Sequence, residues 1–138
     1  MADKAKGMRF SKFKTDSTKE EEGVWVDYES GFRVKIARIG NPKFKEFMLK
    51  KSKPHMRKLQ SGNIDNDLAD GLMKEAIART ILVDWEGLLD DQDQPIPFSQ
   101  ETALDLMKES NDFYQEIFQM ANERELFQIE DLEGAKGN

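Results

Sequence analysis

Cysteine is absent from the 138 residues, and histidine occurs once, at His55. Without cysteine there can be no disulfide, thiol nucleophile or thiolate metal site. A single histidine leaves little room for Ser-His nucleophilic catalysis. Nothing approaches the run of about 18 apolar residues that a membrane-spanning helix needs. Met1 to Phe10 is polar and basic and lacks the apolar stretch of a secretion signal, so the expected compartment is the cytosol. At this length one domain is the default. Folding should bury roughly two-thirds of the surface that the unfolded chain exposes, which gives a modest core.

Charge is plentiful but unevenly spread. The net charge is −6, from 21 Lys and Arg against 27 Asp and Glu. Residues 1–60 hold 16 basic and 8 acidic residues, a balance of +8, whereas residues 61–138 hold 5 and 19, a balance of −14. Such polarity favours contacts made by electrostatic complementarity, with copies of the chain or with other proteins. An uneven but merely solvated surface is the plainer alternative.

Residues 1–22 alternate Lys, Asp, Glu, Ser and Thr, and after Met1 only Met8, Phe10 and Phe13 are large apolar side chains, which predicts a flexible arm. From Gly23 the texture changes. Phe32, Val34 and Ile36 alternate with Arg33 and Lys35, the period of a half-buried strand, and Gly31 separates this run from Val24-Trp25-Val26, so a β-hairpin is expected. Asn41 and Pro42 open a helix that carries Phe44, Phe47 and Met48 on one face and lysines on the others until Pro54 stops it. A second helix is predicted from about Asp65 through Leu68, Leu72, Met73, Ala76, Ile77 and Ile81 to Trp85, with Gly87 as its C-cap. Ser99 and the Ser110-Asn111 pair precede two further apolar stripes, which read as closing helices. Beyond Phe127 the chain turns acidic, through Glu130, Asp131 and Glu133.

The expected fold is therefore α+β: an N-terminal β-hairpin packed on a bundle of about four α-helices over residues 23–127. A flexible arm of residues 1–22 precedes this domain and a flexible acidic tail of residues 128–138 follows it. No P-loop, dinucleotide-binding glycine pattern, HExxH or nucleophile elbow is present, and Asp84 and Glu86 have no predicted burial that would raise a carboxyl pKa. Numbered from Asp91, the acidic turn has Ile96 where an EF-hand needs Gly and Thr102 where it needs Glu, so it reads as an Asp-rich turn rather than a calcium loop. No enzyme activity, metal or cofactor is expected. The basic stretch around Lys43 to Lys53 lacks a nucleic-acid motif, so a nucleic-acid-binding adaptor acting through the basic N-terminal half stays an alternative.

The hairpin from Trp25 to Ile39, Asn41-Pro42-Lys43-Phe44, Ile81-Leu82-Val83-Asp84-Trp85-Glu86-Gly87-Leu88, an acidic turn, Pro95-Ile96-Pro97-Phe98-Ser99-Gln100-Glu101-Thr102-Ala103 and a Phe-rich closing helix follow in order. Together they resemble the tail assembly chaperones of long-tailed bacteriophages, over roughly residues 23–127. One departure is Gln94, where such chains often carry Gly. The resemblance implies a non-enzymatic protein of the host cytoplasm, absent from the mature virion. Its implied partners are the tape measure protein, which it keeps soluble, and the tail tube protein, which it helps recruit, with self-association also compatible. It further implies a longer product made by ribosomal frameshifting, with which Lys136-Gly137-Asn138 is compatible. A minor structural tail protein is the remaining alternative. The surface around Trp85, Leu88, Leu89, Ile96 and Phe98 is the candidate for client or self contacts, because an apolar loop beside an acidic turn would otherwise expose Trp and Leu. The competing assignment has the same residues plugging the core beneath the loop.

Overall fold

Alternation in Phe32 to Ile36 is realised as a strand. The computed structural model describes residues 6–62 and 65–129, and in it Arg33–Ile36 (β2) pairs antiparallel with Val24–Asp27 (β1). Val34 and Ile36 are buried, while Arg33 and Lys35 are only half-buried. The turn that joins the strands is closed by the Phe32 N–H on the Glu29 carbonyl at 2.9 Å. Ser30 and Gly31 both have positive φ, at 54° and 83°, which is the mirror-image turn that suits the twist of a hairpin.

The helices begin where polar caps precede apolar runs. Pro42–Ser52 (α2) starts after Asn41, whose Oδ1 accepts the Phe44 N–H at 2.9 Å. Met56–Gln60 (α3) follows a short 3₁₀ turn, Lys53–His55. Asn66–Thr80 (α4) is capped by Asp65, Gln100–Glu109 (α5) by Ser99, and Asn111–Ala121 (α6) by Ser110. Such caps stabilise each helix by about 1 kcal/mol. α4 packs against α2 on one side and α5 on the other, and α5 packs on α6. The expected bundle of about four helices is thus α2, α4, α5 and α6. Its core is built on Ile36, Ile77, Ile81, Met107, Ile117 and Phe127. Lys74 is buried at its edge, with Nζ 2.9 Å from Asp70 and 5.2 Å from the Tyr114 ring centre. Burial, and after it the Asp70 carboxylate, push the Tyr114 phenol above its ordinary value.

Two segments differ from the sequence expectation. The helix predicted to run through Trp85 stops at Thr80, and Leu82–Glu86 (β3) forms a third strand on β2, giving the order β1-β2-β3. Ile77, Ile81 and Trp85 are spaced like a helix face, but Ile81-Leu82-Val83 is also a short apolar run with β-branched residues, and the open edge of the hairpin captures it. The register shifts between Lys35 and Ile36, which pair with Asp84 and Leu82, so Val83 is left outside the ladder.

The second difference lies in the segment assigned to the flexible arm. Phe10–Phe13 is a 3₁₀ turn and Ser17–Glu22 is a helix (α1), capped by Asp16. The Asp16 N–H donates to the Phe127 carbonyl at 2.7 Å, Thr15 bridges Gln128, and Glu20 pairs with Arg38 at 2.9 Å. These partners lie elsewhere in the sequence, and those at Phe127 and Gln128 are met through backbone groups, so local composition could not announce them. Residues 1–5, the tail from Glu130 onward and the Lys136-Gly137-Asn138 run lie outside the described residues.

Gly87 accordingly ends a strand rather than capping a helix. Its φ is +77°, and a Cβ there would sit 2.3 Å from the Gly31 carbonyl oxygen, because β3 closes directly on the hairpin turn. Gly87→Ala should therefore lower stability by at least ~2 kcal/mol. Gly40→Ala, at φ +92° but in open space, should cost only about 1 kcal/mol, and urea unfolding midpoints of the two variants measure the difference.

Candidate protein-binding surface

Trp85 is the last residue but one of β3, opposite Val34, and is 5% exposed. Its indole N–H donates to the Ile96 carbonyl at 2.7 Å, and the Ile96 N–H donates to the Leu88 carbonyl at 2.8 Å. Leu89 and Pro95 bridge one another, so residues 88–96 form a miniature hairpin folded back over the tryptophan. At its tip Asp90 Oδ1 accepts the N–H groups of Gln92 and Gln94 at 2.8 and 2.9 Å. The left-handed position of the tip is taken by Asp93, with φ +61°, and not by Gln94, so a glycine is not needed at 94.

The five residues expected to contact a client are thereby brought together, though unequally presented. Trp85 is buried, while Leu88, Ile96 and Phe98 are half-buried and pack against the core. Leu89 alone points largely outward, at 51% exposed. Phe98 and Phe113 both meet the Trp85 ring edge-on, at centroid distances of 4.9 and 6.4 Å.

Phe113 carries this aromatic cluster to a second feature, which the sequence reading did not single out. Tyr28 and Phe32, from the two sides of the hairpin turn, stand edge-to-face at 5.9 Å. With Phe113, Ile117 and Met120 of α6 they wall an open hollow of about 250 Å³, with Asp112 and Glu116 at its rim. Tyr28 is 45% exposed. Partial desolvation, then the Glu116 carboxylate, raise the Tyr28 phenol above its ordinary value. The only advance signals were Tyr28 beside a predicted turn and Phe113 at the start of a helix. Their convergence depends on β3 holding the hairpin against α6.

On another face, α2 and α3 form a basic ridge. Lys43, Lys45, Lys50, Lys51, Lys53, Arg57 and Lys58 are exposed on it, together with Leu49 and Met56. Lys51 pairs with Glu75 at 3.4 Å. Among the described residues no group of three or more His, Asp or Glu could hold a metal ion, and no helix is long and apolar enough to cross a membrane.

Trp85→Phe keeps most of the ring but deletes the indole bond, leaving the Ile96 carbonyl short of a donor. It should cost about 1–2 kcal/mol. Leu89→Ser should change stability by less than about 0.5 kcal/mol, because Leu89 is mostly solvated. Thermal unfolding followed by circular dichroism separates the two outcomes.

The family model described as YdaY prophage protein matches residues 39–138. No curated protein and no solved structure matches the chain. By the family match, the chain belongs to the YdaY prophage protein family.

Proposed function

We propose that this YdaY-family chain is a non-enzymatic tail assembly chaperone, which binds and solubilises the tape measure protein and helps recruit tail tube subunits. One observation carries the reading. Apart from the hairpin, the segments that resemble tail assembly chaperones all lie within residues 39–138, the part matched by a prophage family. The tape measure protein is long and helical, and a protein that shields it needs apolar contact area with charge around it to keep the complex in solution. Leu89, Tyr28, Leu49 and Met56 offer exposed apolar area, each with charged residues nearby in the chain. The assembly takes place in the host cytoplasm, and the chaperone leaves before the virion is complete.

A second reading has one observation in its favour: residues 42–60 carry seven Lys and Arg against a single acid, Glu46, as expected of a nucleic-acid adaptor. Exposed Leu49 and Met56 on the same ridge argue for a protein instead, since phosphates offer them nothing to bury against.

Co-expression with the tape measure protein of the same prophage tests the proposal. The expected result is a soluble complex that co-purifies, and mass spectrometry of finished virions should not detect this chain. Failure of the client to dissolve, or the chain in stoichiometric amounts in virions, would overturn it. Binding of duplex or single-stranded DNA that falls steeply with salt would support the adaptor.

A further inference from the structure

We infer that the hollow between the hairpin turn and α6 is a docking site for a basic amphipathic helix of a partner protein, which inserts one large apolar side chain between Tyr28, Phe32 and Phe113 and sets Lys or Arg against Asp112 and Glu116. Under the chaperone reading, on which the identity of the partner rests, that helix belongs to the tape measure protein.

The hollow is made of rigid parts. Its floor, Ile117 and Met120, is buried core of α6, and its hairpin wall is fixed by the Tyr28 N–H on the Phe32 carbonyl at 2.8 Å. At about 250 Å³ it lies below the roughly 300–1,000 Å³ of small-molecule sites, and its size suits one protruding anchor side chain. Aromatic walls around such an anchor are typical of the centre of an interface.

The rim selects the sign of the partner. Asp112 and Glu116 stand one helical turn apart, and among the described residues neither takes part in an ion pair. Glu29 adds negative charge beside Tyr28. From Glu101 to Glu116, α5 and α6 hold five acids and one base, Lys108. An acidic or neutral helix would gain no charge pairing at this rim, whereas cations one turn apart on a partner helix match the carboxylate spacing.

The test uses the full chain and a labelled helical peptide of lysine and alanine with one central tryptophan, read by fluorescence anisotropy. The peptide is expected to bind, and to lose most of its affinity when its tryptophan becomes Ala or its lysines become Glu. On the protein, Asp112→Lys with Glu116→Lys should weaken binding about tenfold or more, and Tyr28→Ala several-fold. Asp105→Lys with Glu109→Lys changes net charge equally but at residues that do not line the hollow, and should weaken binding clearly less than the rim pair does. Equal weakening by the two double variants would overturn the site, since it would mean attraction to overall charge alone. Sedimentation velocity of the unsubstituted chain excludes the other occupant: self-association that vanishes in the Asp112→Lys, Glu116→Lys variant would put a second copy in the hollow and overturn the proposal. Co-expression separates this inference from the chaperone reading. If that double variant still dissolves the tape measure protein fully, the inference about the hollow fails and the chaperone reading stands. If the unsubstituted chain fails to dissolve it while the peptide results hold, only the chaperone reading falls.

Discussion

The hydrogen bond from the Trp85 indole to the Ile96 carbonyl joins three parts that the chain could otherwise arrange independently. Through its backbone Trp85 belongs to β3, through its N–H it holds the returning loop, and its ring packs perpendicular to those of Phe98 and Phe113. A buried indole needs an acceptor, and the extended Pro95-Ile96-Pro97 segment presents one at a fixed place, because residues before proline are kept out of the helical region. The start of α5 and the face of α6 that meets the sheet both follow from that placement. Loss of this bond would free the loop and leave a polar group stranded in an apolar cluster.

The same strand carries its own protection. β3 lies at the edge of the sheet, where an unpaired row of backbone groups invites other chains. The Asp84 carboxylate accepts the Trp85 N–H at 2.8 Å, and Val83 bulges from the ladder, so the exposed edge is interrupted by a charge and an irregularity. At the other end of the strand Gly87 admits the Gly31 carbonyl. The hairpin turn is thereby held against β3 and stands over α6, which is why Tyr28 and Phe32 face Phe113 at all.

What could be read from the sequence was local. Asn41, Asp65, Ser99 and Ser110 each announced a helix, because a short polar side chain before an apolar run satisfies amides that the helix cannot. Strict alternation in Phe32 to Ile36 announced the hairpin. β3 was hidden because Ile77, Ile81 and Trp85 also fit a helical stripe, and only the pairing potential of a distant strand decides between the two. α1 was hidden because its anchors, Phe127, Gln128 and Arg38, lie elsewhere in the chain. Of the candidate surface, the grouping of Trp85, Leu88, Leu89, Ile96 and Phe98 was legible, since all lie between residues 85 and 98, in the end of β3 and the segment that follows it. Which of them faces outward was not, and neither was the hollow, whose walls come from residues 28–32 and 112–120.

Charge segregation along the chain becomes segregation in space. Seven basic residues and one acid lie between Pro42 and Gln60, in α2, α3 and the turn that joins them, whereas the acids are spread over α1, α4, α5, α6 and the tip of the 88–96 loop. The ion pairs that link distant elements, such as Arg38 with Glu20 and Lys51 with Glu75, are partly solvated and each worth about 0–1 kcal/mol, so charge does not hold this fold together. A surface whose charges stabilise its own chain so little, yet are sorted by sign, keeps most of its electrostatic free energy available for association. Partners of opposite sign are steered to different parts of the surface, and the contacts weaken as salt rises. Some exposed apolar residues lie among the charges, with Leu49 and Met56 among lysines and Tyr28 between Glu29 and Glu116. Charge then decides which partner approaches, and the apolar group at the centre decides how long it stays.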